Sequence, residues 1–92
     1  MALSAVNIFV RGSVQGVGFR FFARKHAISM KLNGWVKNLS NGDVEIYAEG
    51  EKDSLDNYIK LIEKGPAFCH VQEIIINPGN PENKFNEFTI QF

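Results

Sequence analysis

The sequence predicts an α+β fold in which two helices pack on one face of an antiparallel sheet. Apolar residues alternate with a period of two in five short segments, which is typical of strands, and recur with the helical period in two longer ones. These segments follow the order βαββαβ, with a short strand added at the C-terminal end. This order is typical of the ferredoxin-like sandwich. The 92 residues, 45% of them hydrophobic, are expected to form a single domain spanning residues 1–92.

The first half of the chain contains three predicted strands and one predicted helix. Alternating apolar residues predict β1 over Val6–Ser13, and helical spacing predicts α1 over roughly Phe19–Met30. Strand β2 is predicted over Trp35–Leu39 and β3 over Asp43–Glu49. The dipeptide Asn41-Gly42 lies between β2 and β3 and is the favoured pair for a tight hairpin turn.

The second half contains helix α2 and strands β4 and β5. Helical spacing predicts α2, capped by Asp53 or Ser54 and ended by Gly65-Pro66. Strand β4 is predicted over Val71–Ile76 and β5 over Phe88–Phe92. The residues expected to build the core or support the fold are Trp35, Val44, Ile46, Leu55, Tyr58, Ile59, Ile62, Ile74, Ile76, Phe88 and Ile90.

The formal net charge is zero, but the charges are segregated along the chain. Six Arg and Lys residues precede Asp43, which is the first of the ten acidic residues. A basic first half favours an anionic ligand, although charges on a solvated surface would give the same count. The glycine-rich stretch near residue 16 has no carboxylate near it in the sequence.

Composition predicts a cytoplasmic protein without a cofactor. The single cysteine, Cys69, cannot form an internal disulfide or a CxxC metal site, and a free thiol suits a reducing compartment. Neither a signal peptide nor a membrane span is expected, because no basic residue precedes the N-terminal apolar run and no apolar run is long enough. His26 and His70 are far apart in the sequence and have no ligand pattern around them, so no metal site is predicted.

The segment GSVQGVGFR, residues 12–20, is the most informative motif. It lacks the spacing and the Lys-Ser/Thr pair of a P-loop, and it lacks the third glycine of a dinucleotide-binding fingerprint. The overlapping string QGVGFRFF is similar to the aromatic motif of RNA-recognition modules, which share the βαββαβ order. That motif belongs on the third strand, however, and here the string precedes the first helix. RNA binding is kept as an alternative.

The interpretation that we favour for this segment is an anion cradle, a turn whose backbone N–H groups converge on one anion. The loop Gly12–Gly18 precedes a helix N-terminus, which adds positive potential, and Arg20 would supply a planar fork for two phosphate oxygens. A tight strand-to-helix turn beside an exposed Arg20 would need the same glycines without any ligand.

Three blocks of the sequence, in order, resemble the acylphosphatase family: GSVQGVGFR, NGWVKN and NGDVEIYAEG, with Asn38 eighteen positions after Arg20. The similarity extends over about Val6–Gly65, and the ending FNEFTIQF is similar to the family's last strand. The resemblance implies the ferredoxin-like sandwich. The sequence departs from the family at Ser13, where many relatives carry a basic residue. It also lacks a glycine near Lys31, which implies strain between α1 and β2.

The resemblance also implies an activity, the metal-independent hydrolysis of the carboxyl–phosphate bond of an acyl phosphate to a carboxylate and inorganic phosphate. In the family, loop amides and the arginine hold the phosphate, and the asparagine positions the attacking water. Carried over by motif, the residues are Arg20, Asn38 and the loop residues Ser13, Val14, Gln15, Gly16, Val17 and Gly18. Without the resemblance, Asn38 could equally use its amide to satisfy the hairpin.

The expected ligand is therefore a small acyl phosphate, with no nucleic acid, membrane or metal partner and with a monomer as the default state. The main alternative within the same fold is a module that binds an anionic group without turnover. The presence of both Arg20 and Asn38 favours the enzyme.

Overall fold

A computed structural model describes residues 3–15 and 17–91, with Val17 described by its backbone. Its five strands and two helices confirm the predicted fold class and element order. The elements are β1 (Leu3–Ser13), α1 (Val17–Ser29), β2 (Asn33–Asn38), β3 (Val44–Glu51), α2 (Lys52–Lys64), β4 (His70–Gly79) and β5 (Phe88–Gln91).

The strands form one sheet in the order β4-β1-β3-β2-β5. The four strands of the βαββαβ unit pair antiparallel, as predicted. Strand β5 instead pairs parallel with β2, from Gly34 opposite Phe88 to Lys37 opposite Gln91, so the complete sheet is mixed. Since β4 and β5 lie on opposite edges, the segment that joins them, residues 80–87, must cross the sheet.

The core lies between the sheet and the two helices. Ile8, Val10 and Ile46 on the central strands are fully buried, and the hydroxyl of buried Tyr58 donates to the carbonyl of Ala23 at 2.9 Å, which links α2 to α1. Of the residues predicted for the core, the buried ones are Val44, Ile46, Leu55, Tyr58, Ile62 and Phe88. Ile59, Ile74 and Ile90 pack partly buried against them, and Trp35 is half-buried.

The core prediction is wrong for Ile76, which is 40% exposed. It lies opposite Ile8 in the register of β1 and β4, but β4 is an edge strand, so Ile76 lines an open groove instead. Strand β4 also continues beyond its predicted end to Gly79, because it pairs with β1 as far as Ala5.

The face of the sheet away from the helices is partly covered by residues 80–87. Tyr47 and Glu49, which alternation along β3 places on this face, are 7% and 2% exposed. Glu49 Oε2 accepts hydrogen bonds from the Tyr47 hydroxyl at 2.8 Å and from the backbone N–H of Glu82 at 3.0 Å. Burial raises the pKa of Tyr47 to about 12, and the hydrogen bond to Glu49 adds to the shift. The side of β3 that faces away from the helices is therefore covered rather than exposed to solvent.

Strand β3 passes directly into α2. Glu51 occupies the N-cap position with extended backbone and makes no side-chain cap hydrogen bond, so the predicted cap at Asp53 or Ser54 is wrong. Asp53 lies in the first helical turn, where a carboxylate interacts favourably with the helix dipole. Strand β3 continues through Gly50 to Glu51, and a Cβ at Gly50 would lie 2.5 Å from Leu32 Cδ2, so this position favours glycine.

The connection between α1 and β2 turns at Lys31, whose φ of 60° lies in the left-handed region. The N–H of Leu32 donates to the carbonyl of Ala27 at 2.9 Å, which is the long bond of a Schellman motif. Glycine is the usual residue at the turning position of that motif. The strained conformation implied by the missing glycine is therefore present at Lys31.

Replacing Lys31 by glycine is expected to raise the free energy of unfolding by about 0.5–1 kcal/mol, because glycine adopts a positive φ without the clash that a Cβ causes. Urea titration measures the change. The matched control is Lys31→Ala, which removes the same side chain but keeps the Cβ. Equal gains in the two variants would show that the lysine side chain, rather than the backbone, is responsible.

Candidate active site

A short connection, residues 14–16, joins the end of β1 to the start of α1. Val14 is fully buried and fixes the connection to the core, whereas Gln15 is exposed. Gly16 and the side chain of Val17, both assigned to the phosphate-binding loop, lie outside the described residues. Helix α1 begins at Val17, two residues earlier than predicted, so Gly18 belongs to its first turn. The first turn of a helix offers N–H groups without helical partners and a positive partial charge.

Gly12 and Gly18 are each required by a different feature of the structure. Gly12 has a φ of 132° and lies at a bulge in the pairing of β1 with β4, where a Cβ would collide with the carbonyl oxygen of His70. Gly18 allows an aromatic ring to lie against α1, because a Cβ at Gly18 would be 2.5 Å from Phe68 Cε2. Gly12 therefore serves the sheet, and Gly18 serves a close contact at the helix start.

Gln15 ties the connection to the hairpin between β2 and β3. Its Nε2 donates to the carbonyl of Leu39 at 2.6 Å and to the carbonyl of Asp43 at 3.1 Å. Leu39 directly follows Asn38, so the Gln15 side chain fixes the loop relative to the strand that carries the predicted water-positioning residue. Sequence reasoning placed Gln15 in the loop but did not identify this role.

Replacing Gln15 by alanine is expected to weaken the binding of inorganic phosphate about 3- to 10-fold, because two hydrogen bonds that hold the loop in place are lost. Isothermal titration calorimetry with phosphate measures the change. Gln15→Glu is the companion variant, since it keeps the size of the side chain but removes both N–H donors, and it should lose affinity as well. Unchanged affinity in both variants would contradict a positioning role.

Arg20 lies in the first turns of α1 and is 8% exposed. Its Nη1 is 3.4 Å from the carbonyl oxygen of Gln91, to which it donates, near the end of β5. Gln91 is paired with Lys37, the residue before Asn38 in β2. The alternative in which Arg20 is simply exposed is thus wrong: its guanidinium is held at the end of the β2–β5 pair.

Asn38 is the last residue of β2 and pairs with Val44. Its Oδ1 is buried and accepts no hydrogen bond from any residue in the described part of the chain. The hairpin that follows is closed by the backbone, since the N–H of Leu39 donates to the carbonyl of Asp43 at 2.8 Å, and by Asn41, whose Oδ1 accepts from the N–H of Asp43. The hairpin therefore does not use the Asn38 oxygen.

The sheet order brings the loop, Arg20 and Asn38 to the same end of the molecule. Strands β1 and β2 both run antiparallel to β3, so their C-terminal ends lie together. Val10, Val44 and Asn38 form one row across β1, β3 and β2. Since neighbouring strands lie about 4.8 Å apart, Asn38 is about 10 Å from β1 across the sheet. The predicted phosphate-binding and water-positioning residues thus flank one region.

The loop is not free of carboxylates in space, although it is free of them in sequence. Asp43, which is 8% exposed, lies with Gly12 and Ser13 around one groove. Its Oδ2 accepts from Arg11 Nε at 3.2 Å and from Asn41 Nδ2 at 3.3 Å. A carboxylate therefore lies beside the loop, and it is paired with a cation.

The single cysteine and the two histidines of the chain lie in different surroundings. Cys69 is half-buried, and burial raises the pKa of its thiol, which disfavours the thiolate. His70 is exposed at the start of β4, and His26 lies beside Phe22 on α1. Within residues 3–15 and 17–91, no three His, Cys, Asp or Glu residues are grouped as metal ligands. No helix in the described part of the chain is long and apolar enough to span a bilayer.

The structure also bears on the RNA-recognition alternative. In such modules, aromatic rings on the third strand stack on bases from the open face of the sheet. Tyr47 is the aromatic residue of β3, and it is buried between Trp35 and Phe85, with ring centroids 6.1 and 5.4 Å away. The Tyr47 ring, which this alternative would need for stacking on a base, is therefore already packed against other aromatic rings of the protein.

Comparisons with known proteins agree with this arrangement. The family model described as Acylphosphatase matches residues 6–90. A protein of Bacillus licheniformis named Acylphosphatase is 42% identical over 86 residues, which cover 94% of this chain and 96% of the relative. A protein of Archaeoglobus fulgidus with the same name is 39% identical over 88 residues, which cover 96% and 98%.

Solved structures give the same result. The crystal structure of acylphosphatase from Bacillus subtilis is similar with a TM-score of 0.92 and 37% identity, covering 99% of this chain and 100% of that chain. Full-length HypF, in the phosphate- and nucleotide-bound form, is similar with a TM-score of 0.87 and 28% identity. That match covers 99% of this chain but 12% of HypF, so the fold also occurs as a small part of a larger protein.

Proposed function

Because the chain belongs to the acylphosphatase family, whose members are hydrolases acting on acid anhydrides, we propose that it hydrolyses the carboxyl–phosphate bond of an acyl phosphate. Water attacks phosphorus, the bond from phosphorus to the acyl oxygen breaks, and the carboxylate leaves with the electron pair. Such an activated anhydride needs positioning and charge stabilisation rather than a covalent intermediate.

The phosphate is held by the loop and by Arg20. The N–H groups of the 13–18 segment and of the first turn of α1 bind its oxygens, and the Arg20 guanidinium forms two parallel hydrogen bonds to them. Burial of Arg20 supports this role, because a charge in a partly desolvated position interacts more strongly with an anion than one in water. The contact with Gln91 fixes the guanidinium before the substrate arrives.

Asn38 positions the attacking water. Its Oδ1 accepts a hydrogen bond from that water and aligns the water oxygen with phosphorus. A neutral amide cannot remove a proton, so the proton of the water passes to a phosphate oxygen of the substrate. The single observation that carries the proposal is the buried Asn38 Oδ1, which accepts no hydrogen bond among the described residues and lies at the same end of the sheet as Arg20.

A second candidate is an anion-binding module without turnover, which the likeness to part of HypF favours. Both candidates require Arg20 to bind an anion. Only hydrolysis requires an acceptor for water at Asn38, so the two are separated by turnover rather than by binding.

The deciding assay follows phosphate release from benzoyl phosphate with the purified protein in excess chelator. We expect release far above the spontaneous rate and unaffected by the chelator. If the protein bound phosphate but did not accelerate phosphate release from benzoyl phosphate, the proposed hydrolase activity would be wrong and the binding module would be favoured. Turnover restored only by added metal would overturn the metal-independent mechanism.

A further inference from the structure

Phe68 lies at the tip of a tight turn between α2 and β4. The N–H of Cys69 donates to the carbonyl of Pro66 at 3.1 Å, which closes a four-residue turn with Phe68 in its third position. The turn is held at both ends, because Gly65 N–H donates to the carbonyl of Leu61 at 2.9 Å and β4 begins at His70. Phe68 is therefore presented by a fixed segment, yet 72% of it is exposed.

The Phe68 ring lies beside the proposed phosphate-binding loop. It rests against Gly18 in the first turn of α1, close enough that a Cβ on Gly18 would be 2.5 Å from the ring. Phe68 also lines an open groove of about 570 Å³ together with Ser13, Val14 and Gln15 of the loop. An apolar surface thus adjoins the polar surface at which a phosphate would bind.

The strand order places Asn38 and Phe68 on opposite sides of the end of β1, where the loop begins. Asn38 is on β2, which is separated from β1 by β3, whereas Phe68 lies two residues before the start of β4, the neighbour of β1 on the other side. His70 at the start of β4 pairs with Ser13 of the loop. The loop therefore lies between Asn38 and Phe68.

Phosphoryl transfer requires the attacking and leaving oxygens to lie roughly in line with phosphorus. For a phosphate bound at the loop, water held by Asn38 would approach from the β2 side, and the acyl oxygen would leave towards the β4 side. That is the side on which the exposed ring of Phe68 lies.

We propose that Phe68 binds the acyl group of the substrate and makes the enzyme favour acyl phosphates with aromatic or bulky apolar acyl groups. This inference rests on the proposed function and adds a substrate class to it. An aromatic acyl group stacks on the Phe68 ring and removes apolar surface from water. An acetyl group is too small to cover the ring while its phosphate remains in the loop.

The contact is made equally in the ground state and in the transition state, because the acyl group is not altered at its distal end. Loss of such uniform binding raises KM and leaves kcat unchanged. A merely structural role for Phe68 would instead change the kinetics of every substrate alike.

The test compares benzoyl phosphate with acetyl phosphate in the wild type, in Phe68→Ala and in Ile28→Ala. Ile28 is an exposed apolar residue of α1, 50% exposed and ten residues beyond Gly18, which is about 15 Å along the helix. For Phe68→Ala we expect kcat/KM to fall about 5- to 10-fold with benzoyl phosphate, through KM, and to change less than 2-fold with acetyl phosphate. Ile28→Ala should behave as the wild type with both.

Equal changes with the two substrates, or no change with benzoyl phosphate, would overturn the role of Phe68 while leaving the hydrolase intact. A wild type that hydrolyses neither substrate would overturn the proposed function itself. Because Phe68 is largely exposed, its replacement should leave the thermal melting temperature nearly unchanged, and a circular dichroism melt checks this.

Discussion

Arg20→Ala is expected to lower kcat/KM for an acyl phosphate by at least about 1000-fold and to abolish measurable phosphate binding. The guanidinium is the one permanent positive charge that we assign to the phosphate, and the loss of a comparable arginine in phosphoryl transfer costs about 10³–10⁵ in rate. Steady-state kinetics with benzoyl phosphate and titration with phosphate measure the two effects. Arg20→Lys should also be severely impaired, because a point charge does not replace the two-pronged contact.

The matched control for this prediction is Arg24→Ala, one helical turn further along α1. Arg24 Nε donates to the carbonyl of Phe88 at 3.2 Å, so this arginine also contacts β5, but it is exposed and further from the loop. Activity within a few-fold of the wild type is expected. If Arg24→Ala lost as much activity as Arg20→Ala, anchoring of β5 rather than phosphate binding would explain both.

Asn38→Ala is expected to lower kcat by about 100- to 1000-fold while KM and the affinity for phosphate change little. Asn38 acts on the water rather than on the phosphate, so its loss removes alignment of the attacking oxygen without removing charge from the binding loop. Stopped turnover with intact phosphate binding is the expected signature. It differs from the combined loss of binding and turnover expected for Arg20→Ala.

Asn33→Ala provides the control for this variant, because Asn33 is the first residue of the same strand and lies at its opposite end. It should keep nearly full activity. Full kcat in Asn38→Ala would show that water is positioned by another group and would exclude the role assigned to the Asn38 oxygen.

Much of the fold could be predicted because its signals are local. The spacing of Leu55, Tyr58 and Ile62 predicts α2, and all three are buried on one face of that helix. The direction of β5 could not be predicted, since alternation in FTIQ is the same whether the strand pairs parallel or antiparallel. The burial of Glu49 could not be predicted either. It depends on the segment of residues 80–87, more than thirty positions further along the chain, which crosses the sheet and covers this side chain.

The candidate site residues could be named from the sequence where they follow the motif, whereas the contacts that join distant segments could not. Arg20 and Asn38 are identified by the family's blocks and spacing, and the structure brings both to one end of the sheet. The tie from Gln15 to Leu39 and the contact of Phe68 with Gly18 join segments far apart in the chain. No local pattern in a single sequence encodes such contacts, since they arise from the order of strands in the sheet.

The contact between Arg20 and Gln91 also concerns the making of the protein on the ribosome. The two residues are 71 positions apart. At synthesis rates of about 5–20 residues per second, roughly 4 to 14 seconds separate their addition to the nascent chain. A growing chain therefore carries the whole GSVQGVGFR motif for several seconds before β5 can hold its arginine in place. Onset of hydrolysis during translation would thus report the arrival of the last strand rather than the synthesis of the motif.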